Sequence, residues 1–239
     1  MMLPGLFYFH MKTIALITAA GSSKRMKGKG SKPFLVLGSK PLIVHTIAAF
    51  ERADVIDGIF LVLQPEEIGK FEKEIISKNR FSKILGIVAG GKERQESVKN
   101  GLDAIEKICK CAVVAIHDGA RPLIEPQHIS KVVLAAKKYG AATLAVPAKD
   151  TIKIVDAHGF CQDTLDRKFT WQTQTPQAFT FELIMEAHKK AKGNLALDDA
   201  SLVEAVGHRV KIVEGAYSNI KITTPEDLHI AEALIKRRT

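Results

Sequence analysis

Apolar runs alternate with amphipathic segments along the first 146 residues of the chain. Short, continuous apolar runs are typical of buried strands, and segments with a 3.6-residue apolar period are typical of helices. The predicted strands cover 14–17, 58–63, 84–89, 112–116 and 141–146. The predicted helices cover 42–53, a segment that begins at Pro65, 93–108 and 126–139. This alternation predicts an α/β fold: a Rossmann-like three-layer sandwich with a mostly parallel sheet and helices on both faces.

The alternation stops at about residue 147. Residues 151–155 alternate β-branched and polar side chains, Gly159 predicts a turn, and a second extended stretch runs toward Thr175. We expect a β-arm at about 147–178 that protrudes, because it is too polar to be buried in one core. Further elements are predicted at the end of the chain: helices over 181–192 and 199–206, strands over 210–213 and 220–223, and a helix from Pro225. We expect a single domain over 11–239, preceded by an appendage of residues 1–10.

Unusual residues are concentrated in the loops that follow the predicted strands, at 19–32, 90–92 and 117–122. The carboxyl ends of parallel strands share one edge of a sheet, and such sheets bind ligands there. In the first loop, small residues at 19–23 allow backbone N–H groups to approach a ligand, and several cations follow, among them Lys24, Arg25, Lys29 and Lys32. This pattern predicts a polyphosphate site. A solvated loop is the alternative, because neither G-x-G-x-x-G nor the P-loop motif is present.

Composition narrows the choice of partners. The net charge of +9 suits nucleotides, sugar phosphates or nucleic acid, but only 6% of the residues are aromatic, which disfavours nucleic acid. The chain has an odd number of cysteines, and their spacing does not suit a metal site: Cys109, Cys111 and Cys161. We therefore expect a reduced, cytoplasmic setting. No apolar run approaches the roughly 18 residues of a membrane span, so no membrane association is expected.

Fourteen short blocks of residues, spread over about residues 12–235, together carry a resemblance to a known family. They are Ala19–Gly21, Arg25-Met26, Lys32-Pro33, Gly90-Gly91, Glu93-Arg94, Ser97-Val98, His117–Pro122, Pro147, Asp150-Thr151, Asp166-Arg167, Gln174–Phe179, Asp198–Ser201, Asn219–Lys221 and Thr224–Leu228. In this order and spacing they resemble the cytidylyltransferases that activate polyol phosphates, in particular those acting on 2-C-methyl-D-erythritol 4-phosphate. Their nucleotide-diphospho-sugar transferase-like fold agrees with the strand and helix pattern.

The resemblance implies an enzyme of the non-mevalonate isoprenoid pathway. It would transfer the cytidylyl group of CTP to 2-C-methyl-D-erythritol 4-phosphate, giving 4-diphosphocytidyl-2-C-methyl-D-erythritol and pyrophosphate. Relatives that act on ribitol 5-phosphate share the nucleotide half of the site and are the enzymatic alternative. Leu197 stands where many family members have threonine, and Lys92 stands where an acid is common. A basic nucleic-acid-binding module is a third interpretation, disfavoured because the cations cluster at predicted strand ends.

Residue roles follow from the same resemblance. The nucleophile, a phosphate monoester with its second pKa near about 6, is already ionised at neutral pH, so no general base is required. The implied catalytic residues are Arg25, Lys32, Arg167 and Lys221. CTP would be held by Ala19, Ala20, Gly21, Gly91, Ser97 and Asp118, with Asp118 also placing Mg²⁺. The polyol phosphate would be held by Asp118, Arg121, Asp150, Thr151, Arg167, Thr175 and Lys221. Asp198 suits a helix N-cap, and His117 receives no chemical role.

The resemblance also implies a homodimer in which each arm crosses to the neighbouring subunit. The arm would deliver Asp150, Thr151 and Arg167 into the neighbour's pocket, while Asp118 and Lys221 would come from the other chain. An isolated two-stranded hairpin is marginally stable in water, which favours such packing against a second copy.

Overall fold

A mostly parallel seven-stranded sheet forms the centre of the molecule. The computed structural model describes residues 11–21, 31–191 and 196–237. The strands of the sheet are β1 (Lys12–Thr18), β4 (Gly58–Leu63), β5 (Ile84–Ala89), β6 (Cys111–Asp118), β7 (Ala141–Pro147), β10 (Trp171–Thr180) and β11 (Lys211–Glu214). Their spatial order is β11-β7-β10-β6-β1-β4-β5. β10 is antiparallel to both of its neighbours, and the other paired strands are parallel. The predicted sheet is confirmed, and the predicted appendage at 1–10 lies outside the described residues.

Helices cover both faces of the sheet. They are α1 (Leu42–Glu51), α2 (Ile68–Phe71), α3 (Arg94–Ile108), α4 (Pro126–Tyr139), α5 (Phe181–Lys190), α6 (Asp199–Ala205) and α7 (Pro225–Lys236). Apolar residues of α1 and α4, such as Ile47 and Val132, belong to one buried cluster. Residues of α3 and α5, such as Leu102 and Ile184, belong to a second cluster. The central strands are buried from both sides, which explains why β4 reads as a continuous apolar run.

The ends of several helices are determined by the residues at those positions. α4 begins with Pro126 and ends at Gly140, whose φ of 86° favours glycine because it has no Cβ. α6 begins at a capping box in which Asp198 accepts a hydrogen bond from the N–H of Ser201, so the predicted N-cap is confirmed. Two short strands, β2 (Val36–Leu37) and β3 (Lys40–Pro41), form a separate hairpin before α1.

Three segments differ from the predictions. The sequence predicts His117 and Asp118 in a loop, but β6 extends through both, because their backbones pair with Ile17 and Thr18 of β1. Residues 220–223 form no strand; this segment is held instead by a hydrogen bond from the Ile222 N–H to the Ala120 carbonyl. The helix predicted from Pro65 is broken into a 3-10 turn, α2 and a π-helical turn.

The arm is shorter than the segment predicted for it. β8 (Lys153–Val155) and β9 (Cys161–Thr164) pair antiparallel in a small sheet of their own, joined through Gly159 at φ 85°. The second extended stretch, predicted to run toward Thr175 within the arm, belongs from Trp171 onward to β10 of the central sheet. The polar side chains in the second half of β10 are buried and hydrogen-bonded: Gln177 donates to Asp198 and accepts from the Ala200 N–H. Within the described ranges, no helix has the length and apolar character of a membrane span.

Candidate active site

A cleft of about 260 Å³ opens at the carboxyl-terminal edge of the sheet, beside the ends of β1, β4 and β6. Residues from all three of the loops that the sequence singled out contribute to its walls, together with residues from other elements. The lining residues are Thr18, Ala19, Ala20, Gly21, Lys32, Pro33, Leu42, Gln64, Gly91, Lys92, Glu93, Arg94, Ser97, Asp118, Gly119, Ala120 and Lys221. All six residues predicted to hold the nucleotide, together with Lys32 and Lys221, therefore lie around one cavity.

The first loop is held close to its neighbours by its backbone. The Ala19 N–H donates to the Val62 carbonyl at 2.7 Å, and the Gln64 side chain donates to the Ala20 carbonyl. A Cβ placed on Gly90 would lie 2.3 Å from the Cβ of Ala20. Glycine is therefore required at position 90, because its backbone packs directly against the Ala20 side chain.

Ser97 shapes the second loop from the first turn of α3. Its hydroxyl accepts from the Gly91 N–H at 3.0 Å and donates to the Glu93 carbonyl at 3.1 Å. The Lys92 N–H donates to the Glu96 carboxylate at 2.8 Å. These bonds fix a narrow turn at the mouth of the cleft, and the backbone there faces the first loop.

Asp118 is the centre of a charged cluster at the end of β6. Its Oδ2 lies 2.8 Å from Lys221 Nζ and 3.8 Å from Arg121 Nε, and its Oδ1 lies 3.3 Å from Arg94 Nε. Burial alone would raise the pKa of Asp118, but Arg94 and Lys221 outweigh it and hold that pKa below its ordinary value. The carboxylate is therefore ionised, and the cations beside it give the cleft a positive wall.

The sequence matches a known family of enzymes. The family model for 2-C-methyl-D-erythritol 4-phosphate cytidylyltransferase matches residues 13–237. The enzyme of that name from Geobacillus kaustophilus is 50% identical over 227 residues, which is 94% of this chain and 97% of the relative. The one from Pelotomaculum thermopropionicum is 47% identical over 229 residues, 95% of each chain. The chain belongs to this family. It is a nucleotidyltransferase, as the resemblance of its loops implied.

Solved structures agree with this membership. The 4-diphosphocytidyl-2C-methyl-D-erythritol synthase of Anaerococcus prevotii superposes with a TM-score of 0.84 at 33% identity, covering 95% of this chain and 97% of that one. The 2-C-methyl-D-erythritol 4-phosphate cytidylyltransferase of Thermus thermophilus gives a TM-score of 0.77 at 33% identity, covering 95% and 100%. The nucleotidyltransferase-like α/β fold is thus confirmed.

The predicted polyol residues are divided between two places. Arg121 lies beside Asp118 and donates to the Asn219 carbonyl at 2.8 Å. Asp150, Thr151 and Arg167 lie on the exposed arm, where Arg167 donates to the Lys149 carbonyl. Arg25, predicted to be catalytic, lies outside the described residues together with Lys24, Lys27 and Lys29 of the same loop.

Thr175 and His117 are buried directly behind Asp118. The Thr175 hydroxyl accepts from the Asp118 N–H at 3.1 Å and lies 3.0 Å from His117 Nδ1. The other ring nitrogen of His117 lies 3.2 Å from the Arg121 carbonyl. Burial lowers the pKa of His117 to about 3, so the ring is neutral at physiological pH and supports the strand end. His117 has no access to the cleft as a base.

Arg94 and Asp199 are site residues to which the sequence analysis gave no role. Arg94 lines the cleft, and its Nη2 lies 2.6 Å from Oδ2 of Asp199, a fully buried residue. Burial alone would lower the pKa of Arg94, but Asp199 and Asp118 outweigh it and raise that pKa, so the guanidinium is charged. The Glu93-Arg94 and Asp198-Asp199 blocks were noted in the sequence, but no local signal shows that they meet.

Proposed function

We propose that this protein transfers the cytidylyl group of CTP to 2-C-methyl-D-erythritol 4-phosphate, releasing pyrophosphate in the non-mevalonate isoprenoid pathway. One observation carries the proposal. Loops whose backbone can hold a nucleotide and cations that can bind its phosphates line a single cleft, and the chain is a member of this family. The named relatives act on methylerythritol phosphate, so the ribitol 5-phosphate alternative is not favoured. A nucleic-acid-binding role is not favoured by cations that converge on one small cleft.

The chemistry requires positioned charge rather than proton transfer. A P–O bond forms between an oxygen of the polyol phosphate and the α-phosphorus of CTP. The bond from that phosphorus to the bridging oxygen breaks, and pyrophosphate leaves with the electron pair. The attacking phosphate is ionised already, since its second pKa is near about 6. A neutral, enclosed His117 agrees with a reaction that needs no general base.

Lys32 and Lys221 are the described cations that we propose act on the phosphates. Both line the cleft, and Lys221 is held by Asp118 at 2.8 Å with its side chain 40% exposed. We propose that Lys32, with Arg25 from the same loop, stabilises charge that develops at the α-phosphate. Lys221 holds the attacking phosphate near the α-phosphorus. Two anions meet in this step, so catalysis depends on cations that are already in place.

Asp118 is the residue that we propose for Mg²⁺. No group of three or more His, Cys, Asp or Glu side chains in the described parts of the chain could hold a metal. Magnesium in nucleotide sites is commonly bound by one or two carboxylates and by substrate phosphates, so a single ionised aspartate fits a metal that arrives with CTP. A carboxylate has about four lone-pair positions, which leaves room for a metal beside its present contacts. Bound magnesium would neutralise charge on the triphosphate.

The remaining predicted residues fit the polyol phosphate. We propose that Arg121 and the arm residues Asp150, Thr151 and Arg167 contact this substrate. Thr175 has its hydroxyl engaged with Asp118 and His117, so we assign it to holding the Asp118 backbone beside the substrate. The cytoplasm is the compartment we propose, supported by three cysteines that all carry free thiols.

We propose that the arm makes the protein a homodimer. Val155, Phe160 and Phe169 are exposed by 55%, 72% and 83% on or beside a hairpin whose two strands pair only with each other among the described strands. A lone two-stranded hairpin with exposed phenylalanines is unfavourable in water. A second copy of the arm would cover this surface symmetrically, and each Arg167 would enter the neighbour's site.

Mixing two inactive variants tests this arrangement. Arg167→Ala and Lys32→Ala homodimers should each be nearly inactive, because every site lacks one cation. After full subunit exchange about half of the dimers are mixed, and about a quarter of all sites carry neither substitution. Turnover should therefore recover toward a quarter of the wild-type rate.

A mixture of Lys32→Ala with Lys221→Ala is the matched control. Both lysines line the same cleft of one subunit, so every site in that mixed dimer keeps one substitution and activity should stay low. No recovery in the Arg167 mixture, despite exchange verified by mass spectrometry, would place Arg167 in its own subunit or outside the reaction.

The activity itself is tested by pyrophosphate release from the purified chain. With methylerythritol phosphate as acceptor, we expect turnover with CTP and little with ATP, GTP or UTP. Equal turnover with all four nucleotides would contradict a site specific for cytidine.

A further inference from the structure

Asp199 is a fully buried carboxylate without a part in the steps above. It is the first residue of α6 and has no exposed surface. The capping of this helix is done by its neighbour Asp198, so capping does not explain Asp199. Its Oδ2 accepts from Arg94 Nη2 at 2.6 Å, and its Oδ1 has no hydrogen-bond partner among the described residues. A buried charge is costly unless it is paired, which makes the contact with Arg94 essential to this residue.

Arg94 bridges this buried carboxylate and the one in the cleft. Its Nη2 donates to Asp199 and its Nε donates to Asp118 Oδ1 at 3.3 Å, while its side chain is 32% exposed in the cleft wall. A guanidinium is planar and rigid, so fixing one nitrogen on Asp199 fixes the direction of the others. Arg94 therefore meets Asp118 through a single nitrogen.

The other groups that face Asp199 do not replace Arg94. His188 reaches it from α5, but burial lowers the pKa of His188, so the imidazole stays neutral near pH 7. Its Nε2 has no hydrogen-bond partner in the described parts of the chain. Lys99 forms its own ion pair with Asp103 at 2.6 Å. Arg94 thus supplies the hydrogen-bonded positive charge at Asp199.

We propose that Asp199 is a positioning residue: it holds Arg94 so that Oδ2 of Asp118 remains available to Lys221. Without this anchor, Arg94 is free to turn toward Asp118 in the two-pronged geometry that arginine and carboxylate prefer. It would then compete for the oxygen that now contacts Lys221 Nζ at 2.8 Å. Lys221 would lose the contact that places its ammonium in the cleft. This proposal rests on the proposed function, because it concerns the lysine assigned to the attacking phosphate.

Asp199→Asn tests the proposal, since it removes the charge but keeps the shape. We expect kcat to fall by about 10–100-fold, the loss that is typical when a residue that orients a ligating or site residue is replaced. Asp198→Asn is the matched control: it is the same substitution one residue earlier, and asparagine also caps helices. That variant should keep the wild-type kcat. Wild-type kcat in Asp199→Asn would overturn the proposal.

Arg94→Lys separates positioning from a purely structural role. Lysine keeps the positive charge, but its ammonium group cannot bridge two carboxylates as the planar guanidinium of arginine does. Alone, it should lower kcat to a similar extent, which keeps the proposal testable if Asp199→Asn folds poorly. Together, the two substitutions should cost little more than either one, because they break the same link. The proposal would be overturned if the fold-losses in kcat of the two single variants multiplied in the double variant. A near-normal kcat in Arg94→Lys would overturn it as well.

The wild-type enzyme is measured in the same assay. Failure of the wild type to turn over CTP with the polyol phosphate would contradict the proposed function itself. An active wild type with fully active Asp199→Asn and Arg94→Lys variants would overturn the positioning role alone.

Discussion

Lys32→Ala is expected to lower kcat by about 10²–10³-fold, the loss typical when one preorganised group that stabilises transition-state charge is removed. Lys32 is the last residue of the first loop, begins a short 3-10 turn and lines the cleft. Negative charge builds up on the oxygens of the α-phosphate as the second phosphate attacks, and without the ammonium group of Lys32 less of that charge is neutralised in the transition state. Arg25→Ala, in the same loop, should have an effect of similar size.

The melting temperature should change little in Lys32→Ala, because a partly exposed cation contributes little to the free energy of unfolding. Lys137→Ala is the matched control: this exposed lysine lies in the last turn of α4, toward the opposite edge of the sheet. It should keep the wild-type kcat. Near-normal kcat in both Lys32→Ala and Arg25→Ala would identify the loop as solvated surface.

Chelation of divalent cations is expected to abolish turnover, and excess Mg²⁺ should restore it. Two polyanions must approach each other in the cleft, and the described lysines and arginines do not balance a triphosphate and a monophosphate without help. Steady-state rates with EDTA, followed by back-titration with MgCl₂, measure this effect. Asp118→Asn should need more Mg²⁺ to reach half of its maximal rate.

Persistent turnover in EDTA would exclude the metal from the reaction. Full activity of Asp118→Asn at limiting Mg²⁺ would instead retain the metal but remove Asp118 from its binding. A lysine variant such as Lys32→Ala provides the control, since its loss of rate should not be relieved by added Mg²⁺.

Most of the sheet could be predicted because its strands are short apolar runs bounded by turn residues. The bounds predicted for β4 and β5 agree with the structure residue for residue, since each is a continuous apolar run between turn residues. The bounds of α4 agree because Pro126 and Gly140 mark its two ends. The site could be predicted in outline because loops at the carboxyl ends of parallel strands meet at one edge.

The remaining differences come from polar residues whose partners are distant in sequence. The sequence of β10 looks too polar for a central strand. Gln174 and Gln177 are nevertheless buried, because their side chains form hydrogen bonds with residues more than twenty positions away. Arg94 and Asp199 are separated by 105 positions, so their ion pair leaves no periodic or local pattern. Propensity and apolar periodicity describe local preference and burial, whereas these contacts depend on the assembled fold.

Phosphorus-31 NMR of the complete reaction tests the central claim most directly. The purified chain is incubated with CTP, Mg²⁺ and either 2-C-methyl-D-erythritol 4-phosphate or ribitol 5-phosphate, and products are followed over time. The proposed function predicts that with methylerythritol phosphate the monoester and CTP signals decrease together, while equal amounts of pyrophosphate and a diphosphate diester form. Formation of the diester with ribitol 5-phosphate and none with methylerythritol phosphate would contradict it.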